Sequence, residues 1–306
     1  MTTAATPATP HTDTLPTEGP GWRVLLAAAI TVVAWASAFV VIRDAGPSYS
    51  PGALSLGRLV IGTAALSLLM IGRRWVRPSK REWALIVLIG VAWFGVYNVA
   101  LNAGERSVDA GTAAMLIQLA PILIGLLAGF LLGEGFPKML VIGGLVAFAG
   151  TLMIGIATST GQADTAGVLL VLLAAVVYAA AVVAQKVVLR RVPGAQVTFL
   201  ACLIGMIACL PFAGVLAREL AVAPVSATLG LVYLGLVPTA IAFSTWAYAL
   251  TRTDAGRLGA TTYIVPLVTI ILGWTLLGEV PVPLAIVGGL VSLVGVALSR
   301  LKTQRA

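Results

Sequence analysis

The sequence predicts an all-α integral membrane protein of ten transmembrane helices, arranged as two inverted five-helix repeats. Three observations lead there. Charged residues are only 10% of the 306 residues and 59% are hydrophobic, whereas soluble domains carry about 25% charge and a water-soluble fold this size cannot hide so much apolar surface. Ten apolar runs follow one another, each near the roughly 20 residues that a hydrocarbon core about 30 Å thick requires. Finally, one block occurs twice. Asp109-Ala110-Gly111 leads to Gly133-Glu134 and Asp254-Ala255-Gly256 leads to Gly278-Glu279, each glutamate 25 residues after its aspartate. Laid together without a gap, 109–150 and 254–295 agree at 14 of 42 positions.

Residues 1–20 are rich in Thr, Pro and Ala and lack a basic leading segment, so they read as a disordered cytoplasmic tail rather than a signal peptide. His11, the only histidine, falls in that tail, which removes histidine-based metal sites and most general-base chemistry. The first span, about 22–42, stops at Arg43-Asp44 and Gly46-Pro47. The second, 51–72, runs into a basic stretch from Arg73 to Arg81. Spans 83–103, 110–132 and 137–157 complete the first repeat, assigned to 21–157, and Gly161 to Asp164 marks the break. The second repeat, 158–301, holds spans 166–188, 196–217, 226–250, 258–278 and 282–300, and 302–306 form a short cytoplasmic tail. Cys202 and Cys209 share one face of the seventh span. Two turns of rise (roughly 10 Å) separate them, too far for a disulfide, so they read as plain core residues. Trp22, Trp75 and Trp83 stand at span ends as interfacial anchors.

Orientation follows from Lys and Arg. With the N-terminus in the cytoplasm, inner segments hold 15 basic residues, outer loops hold only Arg43, Arg106 and Arg218, and Arg58 falls inside a span. Both termini are then inside, which requires an even number of spans. The repeat has five, so the second copy must be inserted upside down, an arrangement that gives a protein two near-equivalent conformations open to opposite sides. The net charge of +8 does not indicate nucleic acid, because the basic residues sit in short loops between apolar runs.

Several motifs together resemble the drug/metabolite transporter superfamily, in its ten-span branch with two EamA-type domains. They are Trp35-Ala36-Ser37-Ala38-Phe39 with its echo Tyr178-Ala179-Ala180-Ala181-Val182, Pro51 with Arg58, Ala120-Pro121, Leu132-Gly133-Glu134, and Gly143-Gly144 with Gly150. The second copy repeats the later ones at Val265-Pro266, Leu277-Gly278-Glu279, Gly288-Gly289 and Gly295. The resemblance covers about 22–300. It implies a multi-pass permease of the cell membrane, a secondary transporter of a small metabolite such as an amino acid, with export favoured. Drug, cation or nucleotide-sugar carriers are the alternatives within the family, and a non-transporting membrane scaffold is the alternative outside it. The second half departs from the pattern in having no counterpart to Arg58.

Residues that would carry this chemistry are polar or aromatic and lie inside spans: Trp35, Ser37, Asn98, Asn102, Gln118, Tyr178, Trp246 and Tyr263. Gln118 and Tyr263 are equivalent in the two repeats, three residues before the mid-span prolines, and are expected on a similar face. Their difference is what recognition of one molecule would require. Pro121 and Pro266 each remove a backbone hydrogen bond and are expected to kink their helices around a central cavity. Arg58 is the only charge well inside a span. It either snorkels to the interface or faces the cavity, where it would hold a carboxylate bidentately. Asp109 and Asp254 read as helix N-caps, Glu134 and Glu279 as structural carboxylates that bond backbone amides or basic residues, and the repeated glycine pairs as close-packing points. The expected cavity is lined mainly by spans 1, 3, 4, 6, 8 and 9.

No carboxylate, histidine or paired cysteine is set inside a span, which argues against an intramembrane enzyme, and no phosphate-binding Gly-Lys-Ser/Thr pattern is present. No cofactor, metal or nucleic-acid partner is expected. The partners are a small-molecule substrate and the bilayer, with a homodimer left open.

Overall fold

A computed structural model describes residues 21–107, 113, 116–159, 164–278 and 280–301. Asp109 and Glu279, like both tails, lie outside the described residues. Within them the chain is helical, without a strand. The helices are α1 (Trp22–Ala45), α2 (Pro51–Met70), α3 (Lys80–Gly104), α4 (Ala120–Leu131), α5 (Lys138–Thr158), α6 (Thr165–Val188), α7 (Gly194–Ala208 and Leu210–Val222), α8 (Val225–Leu250), α9 (Ala255–Leu276) and α10 (Pro283–Ser299). Seven are long and apolar enough to cross a membrane, eight if the bent α7 is one span, while α4 and α10 are shorter apolar helices. Large apolar side chains such as Leu68, Phe130, Leu145, Leu229 and Leu290 stand exposed around the bundle. Water would not tolerate so broad an apolar belt, and lipid requires it.

Three features depart from the sequence expectation. The seventh run bends by 50° rather than continuing from 196 to 217, because Pro211 cannot donate and crowds the preceding turn. The prolines Pro121 and Pro266 do not kink continuous helices. Each sits in the first turn of a helical segment that restarts there, where the missing N–H has no partner to lose. Before Pro266 the chain makes a tight 3₁₀ turn, Thr261–Ile264.

The third feature has no signal in the apolar pattern. Helix α3 widens into a π-helical segment at Gly90–Tyr97, and α8 does the same at Gly235–Ile241. Gly90 and Gly235 correspond as Asp109 corresponds to Asp254, so the break recurs at one position of the repeated unit. In α8 its cause is Pro238, which leaves carbonyls of the preceding turn without donors. The Thr239 hydroxyl donates to the Leu234 carbonyl at 2.8 Å. In α3 the Asn98 amide donates to Trp93 and Phe94 carbonyls at 3.2 and 2.9 Å.

Helices α5 and α10 meet backbone to backbone. A Cβ on Gly143, Gly150, Gly288 or Gly295 would strike main-chain atoms of the facing helix, so small residues set this approach. Gly289 packs against Leu267 instead, and Gly144 faces open space, so Gly144 is not the close-packing point expected. Gly150→Val should therefore destabilise the bundle by at least the 1–3 kcal/mol of a moderate overpacking, and Gly144→Val should leave it unchanged. Melting of the two variants in detergent by size-exclusion chromatography checks this.

Candidate functional site

A cavity of about 820 Å³ enters the bundle from one end. Its mouth is formed by the end of α1 with Gly46-Pro47, by Glu105 and Arg106 after α3, and by Val280 to Val282 before α10. Deeper, Arg58, Asn98, Asn102, Gln118, Tyr178 and Thr262 line it, and Trp35, Trp93 and Phe243 lie at the bottom.

Arg58 faces this cavity and not the lipid: it is 6% exposed and belongs to the cavity wall. Two glycines bring α2 and α8 close enough to hold it. A Cβ on Gly62 would meet Thr239 at 2.7 Å, and one on Gly235 would meet the Arg58 carbonyl at 2.9 Å. The Thr239 hydroxyl, its hydrogen committed to Leu234, accepts from Arg58 Nε at 3.1 Å. The π-helical break thus supplies the hydroxyl that fixes the arginine. Among the described residues no carboxylate pairs with Arg58, so the rest of its donor fork serves the cavity.

The bottom is a stack of aromatic rings. Trp35 lies 5.1 Å from Trp246 and 5.5 Å from Phe243, and Trp93 lies 4.9 Å from Phe243 and 5.0 Å from Tyr178, all between ring centroids. Trp35 Nε1 donates to the Pro238 carbonyl at 3.3 Å, a second use of the break in α8.

Below the rings the bundle is closed by polar ties. Trp246 donates to Gln185 Oε1 at 3.1 Å. Lys186 Nζ donates to the Leu250 and Thr253 carbonyls at 2.7 and 2.5 Å, holding the end of α8 with a cation where the helix dipole is negative. Gly133, at φ +72°, turns the chain sharply after α4. This lands the Glu134 carboxylate on the start of α9, where it accepts from Ala255 and Gly256 amides at 2.9 and 3.1 Å. Glu134 therefore supplies the cap expected of Asp254. Asp254 occupies the N-cap position, but its side chain makes no capping bond and pairs with Arg257 at 3.5 Å. At the same end, Arg191 ties the α6–α7 connection to Glu82 and to the Arg77 carbonyl.

Of the residues singled out from sequence, Trp35, Arg58, Asn98, Asn102, Gln118, Tyr178 and Pro266 reach the cavity wall. Pro121, Ser37, Trp246 and Tyr263 do not. Ser37 bonds the Tyr233 hydroxyl at 2.8 Å on another face of α1, and Trp246 belongs to the ring stack without lining the cavity. Tyr263 is buried with Ala147, Val296 and Phe148 beside α5 and α10. The 3₁₀ turn rotates the chain faster than an α-helix, so Thr262 takes the wall in its place. The wall also includes α2, α5 and the start of α10, beyond the spans expected. Sequence reading missed Thr239, Thr262 and Lys186. Pro238 was the one available signal for Thr239.

The sequence pattern of the "EamA-like transporter family" matches residues 22–156 and 165–301. The chain is 39% identical to a "Probable terminal-alkyne amino-acid exporter" of Streptantibioticus cattleyicolor, over 92% of this chain and 94% of that protein. It is 32% identical to the "Uncharacterized transporter YdfC" of Bacillus subtilis, over 92% of each. It is 25% identical to a "Probable amino-acid metabolite efflux pump" of Salmonella typhimurium, over 89% and 93%. A solved crystal structure superposes with a TM-score of 0.74 at 22% identity, covering 90% of this chain and 95% of the other, which shows a shared fold.

Thr239→Val would strip the Leu234 carbonyl and Arg58 Nε of their partner at once. A loss of about 1–3 kcal/mol in stability is expected, with Thr239→Ser close to the parent. Thermal melts of both variants check it.

Proposed function

The chain belongs to the EamA-like transporter family, and from that premise we propose that this multi-pass membrane protein is a secondary carrier exporting an amino acid or a close relative across the cell membrane by alternating access. The observation that carries the reading is the cavity itself: open at one end, sealed at the other, and holding a buried arginine that has no carboxylate partner among the described residues. Its volume is that of a small-molecule site. Arg58 takes the substrate carboxylate as a two-pronged donor, and the aromatic bottom receives an apolar side chain. Relatives named as amino-acid exporters point to the same substrate class.

The architecture we assign is ten spans in two inverted five-helix repeats, 21–157 and 158–301. The repeated Asp-Ala-Gly motifs, the two π-helical breaks and the two helix restarts at Pro121 and Pro266 support it. The sealed end carries Lys186, Arg191 and Arg257, and the mouth carries Arg106. The excess of basic residues supports a cytoplasmic sealed end with both termini inside, and with it a conformation open to the outside. Inward opening would break the ties of Lys186 and Glu134 and part the ring stack, and the inverted second half supplies the matching shape.

Two outcomes are expected. In proteoliposomes the purified protein exchanges at least one of leucine, phenylalanine and threonine, and Arg58→Lys lowers that exchange by about tenfold or more, because a point charge cannot replace the planar fork. Failure of every amino acid to exchange would overturn the reading. Lys186→Met loses two charged hydrogen bonds, each worth about 1.5–3 kcal/mol, and shifts the population towards inward-open. Cysteine placed at Ala157, in the cavity wall, should then react more slowly with an impermeant maleimide added outside.

A further inference from the structure

Three carboxamides in the cavity wall are turned the same way. Asn98 gives its amide hydrogens to the Trp93 and Phe94 carbonyls, and Gln118 Nε2 donates to the Thr262 carbonyl at 3.2 Å. Asn102 Nδ2 donates to Ser55 Oγ at 3.2 Å, and that hydroxyl spends its own hydrogen on the Pro51 carbonyl at 2.7 Å. Each partner is an oxygen with no hydrogen to offer, so the amide nitrogen must be the atom turned into the protein. The side-chain oxygens are what remain. All three residues are more than nine-tenths buried and all three line the cavity, and among the described residues no protein donor reaches those oxygens. Acceptors that open onto a cavity are served there by water or by a ligand.

The same oxygens belong to the chamber of Arg58. The Ser55–Asn102 bond sets the level of α2 against α3. One turn further from the mouth, Arg58 on α2 comes level with Asn98 on α3. Tyr97, next to Asn98, stacks 5.8 Å from Tyr178. Tyr178 and Thr262, whose carbonyl anchors Gln118, line the same cavity. The one carboxylate among the described wall residues, Glu105, stands about one turn nearer the mouth than Asn102.

The geometry points to an ammonium subsite: the carbonyl oxygens of Asn98, Asn102 and Gln118 receive the three N–H groups of an α-ammonium, while Arg58 holds the adjacent carboxylate. This rests on the amino-acid reading above and deepens it. The cavity selects a primary α-amino acid as a zwitterion, and it does so with neutral acceptors. With neutral acceptors the substrate is recognised without being trapped by a fixed counter-charge.

The test uses wild-type proteoliposomes exchanging whichever of L-leucine, L-phenylalanine and L-threonine is transported best. Competition is measured with the des-amino acid (4-methylpentanoate, 3-phenylpropanoate or 3-hydroxybutanoate) and with the N-acetyl derivative. A site built on hydrogen bonds rejects an analogue lacking the group, so both should compete more than about tenfold more weakly than the parent. Asn102→Ala and Gln118→Ala should weaken binding of the parent by about tenfold and leave binding of the des-amino acid unchanged, a split that misfolding does not produce. Glu105→Gln should leave discrimination intact. Des-amino acids that compete within about threefold of the parent would overturn the subsite and leave the carrier standing. So would discrimination that vanishes in Glu105→Gln and survives in both amide variants. Absence of exchange for all three amino acids would remove the carrier reading and the subsite together.

Discussion

Inside a bilayer no water is available to a broken helix, so every freed backbone group must find a partner within the protein. That constraint organises this molecule. Pro238 breaks α8, Thr239 satisfies the freed Leu234 carbonyl, and the same hydroxyl then fixes Arg58. The matching break in α3 is satisfied by Asn98, which leaves an amide oxygen in the cavity wall. The start of α9 is capped by Glu134 from across the bundle, which closes the far end. Repairing the backbone and building the site are one set of bonds.

Duplication supplies the frame and its imperfections supply the chemistry. Both halves carry the π-helical break and the proline restart at corresponding positions, yet the side chains that service them differ. Gln118 reaches the cavity while its counterpart Tyr263 packs against α5 and α10. Arg58 has no counterpart at all. The duplicated scaffold thus carries an asymmetric wall.

Much of this was legible in the residues. Apolar runs and the repeated Asp-Ala-Gly and Gly-Glu motifs gave the helices and their duplication, because burial acts locally. Trp35 and Asn102 stand on regular helix and line the cavity where an α-helical period puts them, whereas Asn98 and Gln118 line it from beside a π-helical break and a turn. The failures cluster where the period changes. A 3₁₀ turn moved Tyr263 off the wall in favour of Thr262, and Pro211 bent a run that hydropathy alone reads as straight. Long-range capping was equally hidden, since Glu134 serves a helix some 120 residues away in sequence. Whether Arg58 faced lipid or protein was undecidable until the π-helical break brought Thr239 against it.

The most direct test of the account is the accessibility of position 58. In a background of Cys202→Ala and Cys209→Ala, Arg58→Cys would be treated in right-side-out vesicles with a membrane-impermeant methanethiosulfonate. Rapid labelling from the outside is expected, because residue 58 opens onto the cavity. A cysteine inert to the impermeant reagent and labelled only by a lipid-soluble one would place residue 58 in the bilayer and contradict the site.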